Sequence, residues 1–278
     1  MAKIYRHDIT ALILVHNEEI HLERCIKNLI KKVKKIIIID SFSTDSSLEI
    51  CKKYKVDFLR KKFINHSNQL NWALKKINFK TKWILRIDAD EIVENKFFTK
   101  LKKLKNLEKF NGININIDHI FLKKIITFGG VYPQTQIRMW KKNNGYFDNS
   151  PMDEKIIFKK PKIYESNLRI IDNNLKSLSF WFNKHFRYAE KESQVYLLLK
   201  KKKIKYDASD SKQMNKLKYY KFPLLIRPFF LFCYRYILKK GYLDGFAGFA
   251  FCLLHTLFYR ILVDCYILKK ILIKKFKI

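Results

Sequence analysis

Two aspartates separated by one residue follow an apolar segment of the chain. Asp88 and Asp90 come directly after the segment 83–87. Two carboxylates this close together are costly to hold unless an opposite charge neutralises them. Mg²⁺ and Mn²⁺ prefer oxygen ligands and are often coordinated by protein carboxylates and substrate phosphates together. A phosphate group bound to such an ion is a better leaving group. The pair predicts a divalent cation bound by Asp90 and Asp88; a solvated acidic loop is the alternative.

Two more polar clusters follow apolar segments nearer the N-terminus. Segments 9–15 and 35–40 are short enough and apolar enough to be buried strands. The polar residues at their ends are His16, Asn17, Glu18, Asp40 and Ser41. Asp40 is able to accept hydrogen bonds from a nucleobase or ribose, and Asn17 and Glu18 to line the same pocket. Helix capping is the alternative role for all three.

The elements that position these clusters alternate between strand and helix. The predicted strands are 9–15, 35–40, 56–59 and 83–87, and the predicted helices are 19–32, 47–54 and 66–76. Such alternation with short links is typical of an α/β protein with a mostly parallel sheet. Ligands bind beyond the carboxyl ends of such strands. The three polar clusters are therefore expected to form one pocket.

The pattern changes in the second half of the chain. Period-2 alternation at 113–117 predicts a strand, 131–140 is a second candidate strand, and a turn is expected at 143–145. We expect one domain over 1–175, with a first half at 1–95 and a second half at 96–175. A helical connector would follow over 176–221, and a C-terminal helical segment over 222–278.

The C-terminal segment is rich in aromatic and apolar residues interrupted by cations. Its two strongly apolar runs, 222–232 and 245–259, are both shorter than the ~20 residues that span a bilayer. Apolar faces with interspersed lysine and arginine favour helices that lie in a membrane interface. A helical pair packed on the catalytic core and a true membrane span are the alternatives.

Four motifs follow one another in a specific order. They are LVHNEE, IIIIDSFSTDSS, HSNQLNWAL and WILRIDADE. In this order they resemble the family 2 glycosyltransferases, which have the GT-A fold, a Rossmann-like, mostly parallel sheet flanked by helices. The segment GGVYPQTQIRMWKKNNGYFDNSPMDEKI is similar to the acceptor side of that family. SLSFWFNKHFRYAEKES and RPFFLFCYRYILKKGYLDGFAGF resemble the subgroup that builds the lipopolysaccharide core or related surface glycans.

The resemblance implies a reaction and a set of roles. The domain 1–175 would be catalytic, with a nucleotide-sugar-binding half at 1–95 and an acceptor-side half at 96–175. The reaction is inverting transfer of a hexose from a nucleotide sugar, UDP-glucose or similar, to a lipopolysaccharide-core or other surface-glycan acceptor. Asp40 would bind the base, Asp88 would face the ribose or sugar, and Asp90 would ligate Mg²⁺ or Mn²⁺. The residues expected to bind the nucleotide sugar are His16, Asn17, Glu18, Asp40, Ser41, Gln69, Asn71, Asp88 and Arg138.

Inversion requires a general base on the acceptor hydroxyl, opposite the leaving diphosphate. Glu154 is the candidate, with Asp153 second; relatives in the subgroup usually carry His-Glu at this place. A strand-edge acidic pair opposite nearby lysines is the structural alternative. Arg138 is able to contact a diphosphate or an acceptor phosphate, or to be an ordinary surface arginine.

The net charge of +33 admits three classes of partner: nucleic acid, an anionic membrane surface or small anions. A strongly AT-biased genome also produces a chain rich in Lys, Ile, Asn and Phe. Dispersed lysines and the lack of a nucleic-acid motif argue against a nucleic-acid partner. Expected partners are a UDP-sugar donor, a glycolipid or oligosaccharide acceptor and the anionic inner-membrane surface. Protein or polyprenyl-phosphate acceptors are the alternatives.

The five cysteines match no zinc spacing and are odd in number, which favours reduced thiols in a cytosolic protein. The N-terminal residues lack the pattern of a signal peptide. We therefore expect a cytoplasmic protein, peripheral at the inner face of the plasma membrane.

Overall fold

Short apolar runs alternate with helices over the first ninety residues. The computed structural model describes residues 6–148, 154–201 and 211–276. The first elements are β1 (His7–Val15), α1 (Glu19–Leu29), β2 (Val33–Asp40), α2 (Ser47–Lys53), β3 (Asp57–Arg60), α3 (His66–Lys76) and β4 (Trp83–Asp88). Strands β1, β2 and β4 are mostly buried because their side chains are apolar on both faces, as parallel strands between helix layers require. Strand β3, at the edge of the sheet, is partly exposed.

Shorter strands and then helices make up the rest of the chain. The strands are β5 (Glu91–Val93), β6 (Gly112–Phe121), β7 (Lys124–Ile125), β8 (Gln134–Lys141), β9 (Gly145–Phe147), β10 (Ile156–Phe158) and β11 (Ile163–Asp172). The helices are α4 (Phe97–Lys103), α5 (Leu178–Lys200), α6 (Ser211–Tyr220), α7 (Arg227–Cys233), α8 (Gly245–Cys252) and α9 (Tyr259–Phe276). One-turn 3₁₀ segments and two π-helical stretches, Tyr234–Leu238 and Leu253–Phe258, link some of the helices.

The chain divides into two compact units. Unit 1 comprises Met1–Ile120 and Pro133–Leu175, and unit 2 comprises Phe121–Tyr132 and Lys176–Ile278. The segment Phe121–Tyr132 lies within the range 96–175 but groups with unit 2.

Unit 1 contains a mixed, mostly parallel sheet in the order β3-β2-β1-β4-β8-β6-β11-β5. Strands β1 to β4 run parallel, and β8 pairs antiparallel with both β4 and β6. Both faces of the sheet are covered by apolar clusters. One includes Leu22 and Ile26 of α1 and Phe97 of α4, and the other includes Leu70 and Ala73 of α3.

The predicted α/β alternation is confirmed for the first half of unit 1. Helix α3 begins and ends at the expected residues, and the first four strands lie within two residues of their expected bounds. The strand expected at 131–140 begins three residues later, at Gln134, and the sequence does not predict β5, β7, β10 or β11. Both β5 and β10 are three residues long, and such segments have too little pattern to be recognised before their pairing partners are known.

Unit 2 is helical, and α5 packs against α9 around Ala189, Val263 and Ile267. Charged side chains of unit 2 are paired: Arg227 on α7 with Asp264 on α9, both 1% exposed, and Glu192 on α5 with Arg260 on α9.

One continuous helical run in unit 2 is longer than the sequence indicates. The run Gly241–Lys274 is 34 residues long and, by length and composition, apolar enough to cross a membrane. The helix is therefore longer than either of the apolar runs 222–232 and 245–259, and a membrane span stays one of the alternatives for this segment. The helix continues through charged residues because their partners are supplied from α5 and α7. Core helices of soluble proteins have the same length and composition, and a third of the most apolar window is buried.

Candidate active site

The polar residues that follow β1, β2 and β4 lie at one edge of the sheet. Val15 is in register with Asp40 on β2, and Leu14 with Asp88 on β4. Asp40 is in turn in register with Arg60 at the end of β3. Because these strands are parallel, their carboxyl ends meet, as the sequence predicts.

The turns after β1 and β2 are joined to each other by hydrogen bonds. The Asn17 backbone N–H donates to Ser43 Oγ at 2.9 Å, and the Thr44 N–H donates to Asn17 Oδ1 at 2.8 Å. The Glu18 N–H donates to Ser47 Oγ at 3.0 Å. Side chains of each turn thus satisfy backbone groups of the other. Asn17, through its side chain and backbone, and Glu18, through its backbone N–H, hold the rim of the edge in place. The Glu18 side chain does not cap α1.

Asp40 is used inside its own turn. Its carboxylate is fully buried and accepts hydrogen bonds from the N–H groups of Phe42, at 3.0 Å, and Ser43, at 3.1 Å. Arg60 Nε lies 3.6 Å from Asp40 Oδ2. The carboxylate therefore fixes the conformation of the turn and neutralises part of the Arg60 charge. Because it has no exposed surface, it is not accessible to a nucleobase in this conformation.

Two polar residues of α3 also hold neighbouring backbone. Gln69 Nε2 donates to Ser41 Oγ at 2.8 Å and to the Ile39 carbonyl, and it is buried. Asn71 donates to the Phe147 carbonyl and accepts from the Phe147 N–H, both at 2.8 Å. Asn71 thereby imitates a strand partner and ties β9 to α3. In this structure the two amides position the end of β2 and β9.

Asp88 lies between two arginines. Arg86 Nε is 3.4 Å from one carboxylate oxygen, and Arg138 Nη1 is 3.1 Å from the other. Arg138 Nη2 donates to Glu91 at 2.7 Å, and the second Glu91 oxygen accepts the Asp88 N–H at 2.9 Å. These four side chains, the Asp88 clamp, form one network, in which Arg86, Arg138 and Glu91 are largely buried and Asp88 is one-third exposed. Arg138 is 5% exposed, so the alternative of a surface arginine is excluded.

The clamp separates the pKa values of its two carboxylates. Burial alone would raise the pKa of Asp88, but the Arg86 and Arg138 guanidinium groups hold it well below its usual range. Burial, assisted by the charges of Asp88 and Asp172, raises the pKa of Glu91 to about 8, against the opposing effect of Arg138. Asp88 is therefore the carboxylate that stays ionised across the physiological range.

The clamp corrects one step of the argument from sequence. The Asp88 and Asp90 carboxylates do not need a cation to neutralise their repulsion, because two arginines already neutralise Asp88. Asp90 is half-buried, and its Oδ2 accepts from the Asn174 side chain at 2.9 Å. No three His, Cys, Asp or Glu side chains in the described ranges are arranged to hold a metal ion.

A divalent ion shared with a substrate phosphate needs fewer protein ligands. Mg²⁺ is usually held by one or two carboxylates, and phosphate oxygens and water complete its shell. Asp90 at the end of β4 supplies a carboxylate of this kind beside the ionised Asp88. The donor set therefore fits a phosphate-shared ion rather than a cation enclosed by protein.

Glu154 lies at the same edge. Its Oε1 is 2.7 Å from Arg86 Nη2, so Arg86 bridges Glu154 and Asp88. The Glu154 side chain is 12% exposed. Asp153, the second candidate for the general base, lies outside the described residues.

Sequence reasoning missed three residues of the site. Arg86 was detectable, because residues two apart on a strand point to the same face and place Arg86 beside Asp88. Glu91 is next to the D-A-D motif, but its bond to Arg138 depends on the pairing of distant strands. His21 is fully buried; its Nδ1 lies 2.6 Å from Glu18, and its Nε2 accepts the Leu175 N–H. His16, which was considered instead, is exposed.

An open hollow lies elsewhere on unit 1. It measures about 560 Å³ and is lined by residues at the starts of β2 and β3, including Lys35 and Asp57. Because the strands are parallel, this is the edge opposite the clamp. Lys35 and Asp57 are already paired there at 2.5 Å. The network of buried ionisable groups, rather than this hollow, marks the candidate site.

Comparison with known proteins agrees with the strand-end geometry. Residues 10–151, about half of the chain, match the family model described as glycosyl transferase family 2. The chain belongs to glycosyl transferase family 2. The predicted membership of this family and the predicted α/β fold with a mostly parallel sheet are both confirmed.

Two curated relatives of this family 2 member are glycosyltransferases by name. Glycosyltransferase SunS, from a Bacillus subtilis prophage, is 28% identical over 184 residues, which is 61% of this chain and 42% of SunS. An uncharacterized glycosyltransferase of Rickettsia bellii is 31% identical over 91 residues, or 33% of this chain and 30% of that protein. The chain thus spans well under two thirds of either relative.

A solved structure shares the fold along nearly the whole chain. The mannosyltransferase PcManGT from Pyrobaculum calidifontis, in complex with GDP-Man and Mn²⁺, is 14% identical with a TM-score of 0.50. The match covers 97% of this family 2 chain and 87% of PcManGT.

Proposed function

We propose that this family 2 member is an inverting glycosyltransferase that moves a hexose from a nucleotide sugar to a surface-glycan acceptor such as the lipopolysaccharide core. The observation that carries the proposal is the Asp88 clamp at the carboxyl ends of β1, β2 and β4, with Asp90 beside it. The family match and the nucleotide sugar bound by PcManGT support the donor class.

Each carboxylate of the site has a different task in this proposal. Asp90, with Asp88, would hold Mg²⁺ or Mn²⁺, which neutralises the charge that develops on a leaving diphosphate. Asp88 accepts hydrogen bonds from hydroxyl groups of the donor, and its two arginines keep it ionised and fixed. Arg138 acts as a positioning residue, because both of its Nη groups are bonded to Asp88 and Glu91.

Glu154 is the proposed general base, with Asp153 second. An acceptor hydroxyl attacks the anomeric carbon on the face opposite the diphosphate, and a carboxylate must take its proton. Arg86 fixes the orientation of Glu154 and links it to Asp88. The Arg86 guanidinium group therefore holds both the proposed base, Glu154, and the donor-binding carboxylate, Asp88. Because Arg86 lies on β4, that strand sets the distance between the two carboxylates.

The proposed acceptor is attached to lipid, and unit 2 is the proposed membrane-binding part. Phe230, Leu238 and Phe246 are 61%, 70% and 76% exposed. Other large exposed side chains of the same region are Phe222, Leu225, Ile226, Phe229, Tyr234, Ile237, Tyr242 and Leu243. Exposed apolar surface of this extent marks an interaction site, and nearby Lys239 and Lys240 suit anionic lipid. We infer peripheral binding at the cytoplasmic face of the plasma membrane.

The experiment is a nucleotide-release assay with UDP-linked and GDP-linked hexoses, Mn²⁺ or Mg²⁺, and acceptor glycolipid fractions. Glu154→Gln keeps the shape of the base and removes its proton affinity, so turnover should fall by about 10²–10⁴-fold. Glu49→Gln, at an exposed position on α2, is the control and should be fully active. Turnover by Glu154→Gln at the wild-type rate would remove Glu154 as the base, and release from no donor would contradict the function.

A further inference from the structure

The turn formed by Leu122 and Lys123 has an unusual backbone for its side chains. It joins β6 to β7 and belongs to Phe121–Tyr132, the inserted segment, which groups with unit 2. Both residues have positive φ, 48° and 63°, a combination for which two-residue hairpin turns favour asparagine and glycine. A bulky side chain is strained in this conformation, and such strain is concentrated at functional sites. Leu122 is nevertheless 57% exposed, so the strain does not serve to bury it.

The part of the inserted segment that follows this turn is fixed by Asp244 of unit 2. The Asp244 carboxylate accepts the backbone N–H groups of Thr127, at 2.9 Å, and Phe128, at 2.8 Å. The Asp244 carbonyl accepts Lys124 Nζ at 2.8 Å. Asp244 is 3% exposed and Ile126 is 2% exposed, so both are anchored in unit 2. The conformation of the segment is thus set by buried contacts and not by its exposed side chains.

Three apolar side chains of the inserted segment remain in water. Leu122, Ile125 and Phe128 are 57%, 37% and 38% exposed. Asp244, which holds the segment, is two residues from Phe246, which is 76% exposed. The Asp244 contacts therefore place the three side chains, the apolar edge, next to part of the surface for which membrane binding is proposed. Exposed apolar surface of this extent marks an interaction site.

The charges around the apolar edge are positive. Lys123 and Lys124 are exposed, and the Gly129 N–H donates to the carbonyl of Lys239 at 2.9 Å, which brings the exposed Lys239 and Lys240 to the segment. A second copy of the chain would carry the same cations and the same net charge of +33, which opposes self-association through this surface. An anionic lipid surface accommodates both the apolar side chains and the cations.

We propose that the inserted segment is a second membrane-binding element, whose apolar edge enters an anionic lipid surface. The inference rests on the proposed peripheral membrane binding, and it adds a site that lies in sequence between β6 and β8, outside the C-terminal helices. Because Asp244 holds the segment, the edge enters lipid preformed, without the ordering cost of a flexible loop. The strained turn leaves more than half of Leu122 in water, and lipid supplies the apolar environment for it.

The direct test is quenching of tryptophan fluorescence by phosphatidylglycerol vesicles with brominated acyl chains. Leu122→Trp places a fluorophore at the turn. Phe42→Trp is the matched control, because Phe42 of unit 1 is also apolar, 51% exposed and left-handed, with φ 63°. The fluorescence that Leu122→Trp adds to the wild-type signal should be quenched, and the fluorescence that Phe42→Trp adds should not. Equal quenching in the two variants, or none at position 122, would overturn the inference.

The second test is the affinity of Leu122→Asn for phosphatidylglycerol vesicles. Asparagine is polar and tolerates left-handed backbone, so the variant should bind about tenfold more weakly than wild type. Its Tm should rise by about 2–4 °C because strain is relieved, which separates lost binding from lost folding. Phe42→Asn, the control, should keep wild-type vesicle affinity.

The outcomes separate this inference from the proposal on which it rests. Wild-type vesicle affinity in Leu122→Asn would overturn the role of the inserted segment and leave membrane binding by the C-terminal helices standing. Failure of the wild-type protein to bind anionic vesicles would overturn both, and glycosyl transfer would remain to be judged by the nucleotide-release assay.

Discussion

At the scale of single residues, the Asp88 clamp is the feature on which the chemistry depends. Arg138 reaches across from β8 and is bonded to Asp88, the first residue of the D-A-D motif, and to Glu91, which follows the motif. Removing one member of a buried charge network leaves the others uncompensated, which costs more than the network gains when complete. A substitution that keeps the size of the Arg138 side chain and removes its charge should therefore destabilise the folded protein.

Arg138→Met should lower the free energy of unfolding by about 3–5 kcal/mol, because Asp88 and Glu91 lose their shared partner. Urea denaturation followed by circular dichroism measures the change. Arg187→Met, at an exposed position on α5, is the control and should shift stability by less than about 0.5 kcal/mol. Equal stability of the two variants would mean that the Arg138 contacts are not maintained in solution.

The residues of the clamp also show where sequence reasoning succeeds and where it stops. Asp88 and Asp90 were identified because a D-A-D motif after an apolar strand is a local pattern. The neutralisation of Asp88 by Arg138 was not identified, because Arg138 is fifty positions further along the chain. The local sequence suggests a metal ion as the neutralising charge, whereas in the folded chain two arginines also neutralise Asp88.

At the scale of elements, the local sequence likewise predicts some features and not others. The bounds of α3 and of the first four strands follow from apolar runs that are complete within the local sequence. The length of the helical run Gly241–Lys274 does not, because charges that end its apolar stretches are paired by other helices. Asp264 is bonded to Arg227, and Arg260 to Glu192 on α5. Only tertiary contacts make those charges compatible with a continuous, partly buried helix.

Glu192 should make the stability of unit 2 dependent on acid. Burial raises its pKa, but Arg260 and Lys216 together with the hydrogen bond from Tyr259 lower it well below 4.5. An acid whose pKa is depressed by folding stabilises the protein above its unfolded value. That stabilisation should be complete above about pH 5 and should be lost as pH falls from about 4.5 towards the folded pKa.

The measurement is urea unfolding of wild type and Glu192→Gln at several pH values. The variant should be about 3–5 kcal/mol less stable at pH 7 and should lose this part of the acid dependence. Glu190→Gln, an exposed position two residues away on α5, should behave as wild type. An unchanged acid profile in Glu192→Gln would show that another group controls acid stability.

At the scale of the whole molecule, charge and exposed apolar surface occur together. The chain carries a net charge of +33, and most of its highly exposed phenylalanines belong to unit 2. An interface helix needs both an apolar face and cations, and their attraction to anionic lipid is screened by salt. The apolar and the electrostatic contributions to membrane binding are therefore separable by experiment.

Wild-type protein should sediment with vesicles that contain phosphatidylglycerol and much less with neutral phosphatidylcholine vesicles, with binding that weakens as salt rises. The double variant Leu238→Ser, Phe246→Ser should bind anionic vesicles at least about tenfold more weakly, because two exposed side chains no longer enter the bilayer. Ile64→Ser, at a 66% exposed position of unit 1, is the control. Binding that is indifferent to lipid charge, or release from membranes only by detergent, would contradict peripheral attachment.

The central claim is that Asp90 and a divalent ion together bind the diphosphate of a nucleotide sugar. Calorimetric titration of UDP and GDP into wild type and Asp90→Asn, each with Mn²⁺ and with EDTA, tests it most directly. The account predicts that Mn²⁺ tightens nucleotide binding to wild type and has no effect on Asp90→Asn. Equal affinity of the wild-type protein for nucleotide in Mn²⁺ and in EDTA would contradict it.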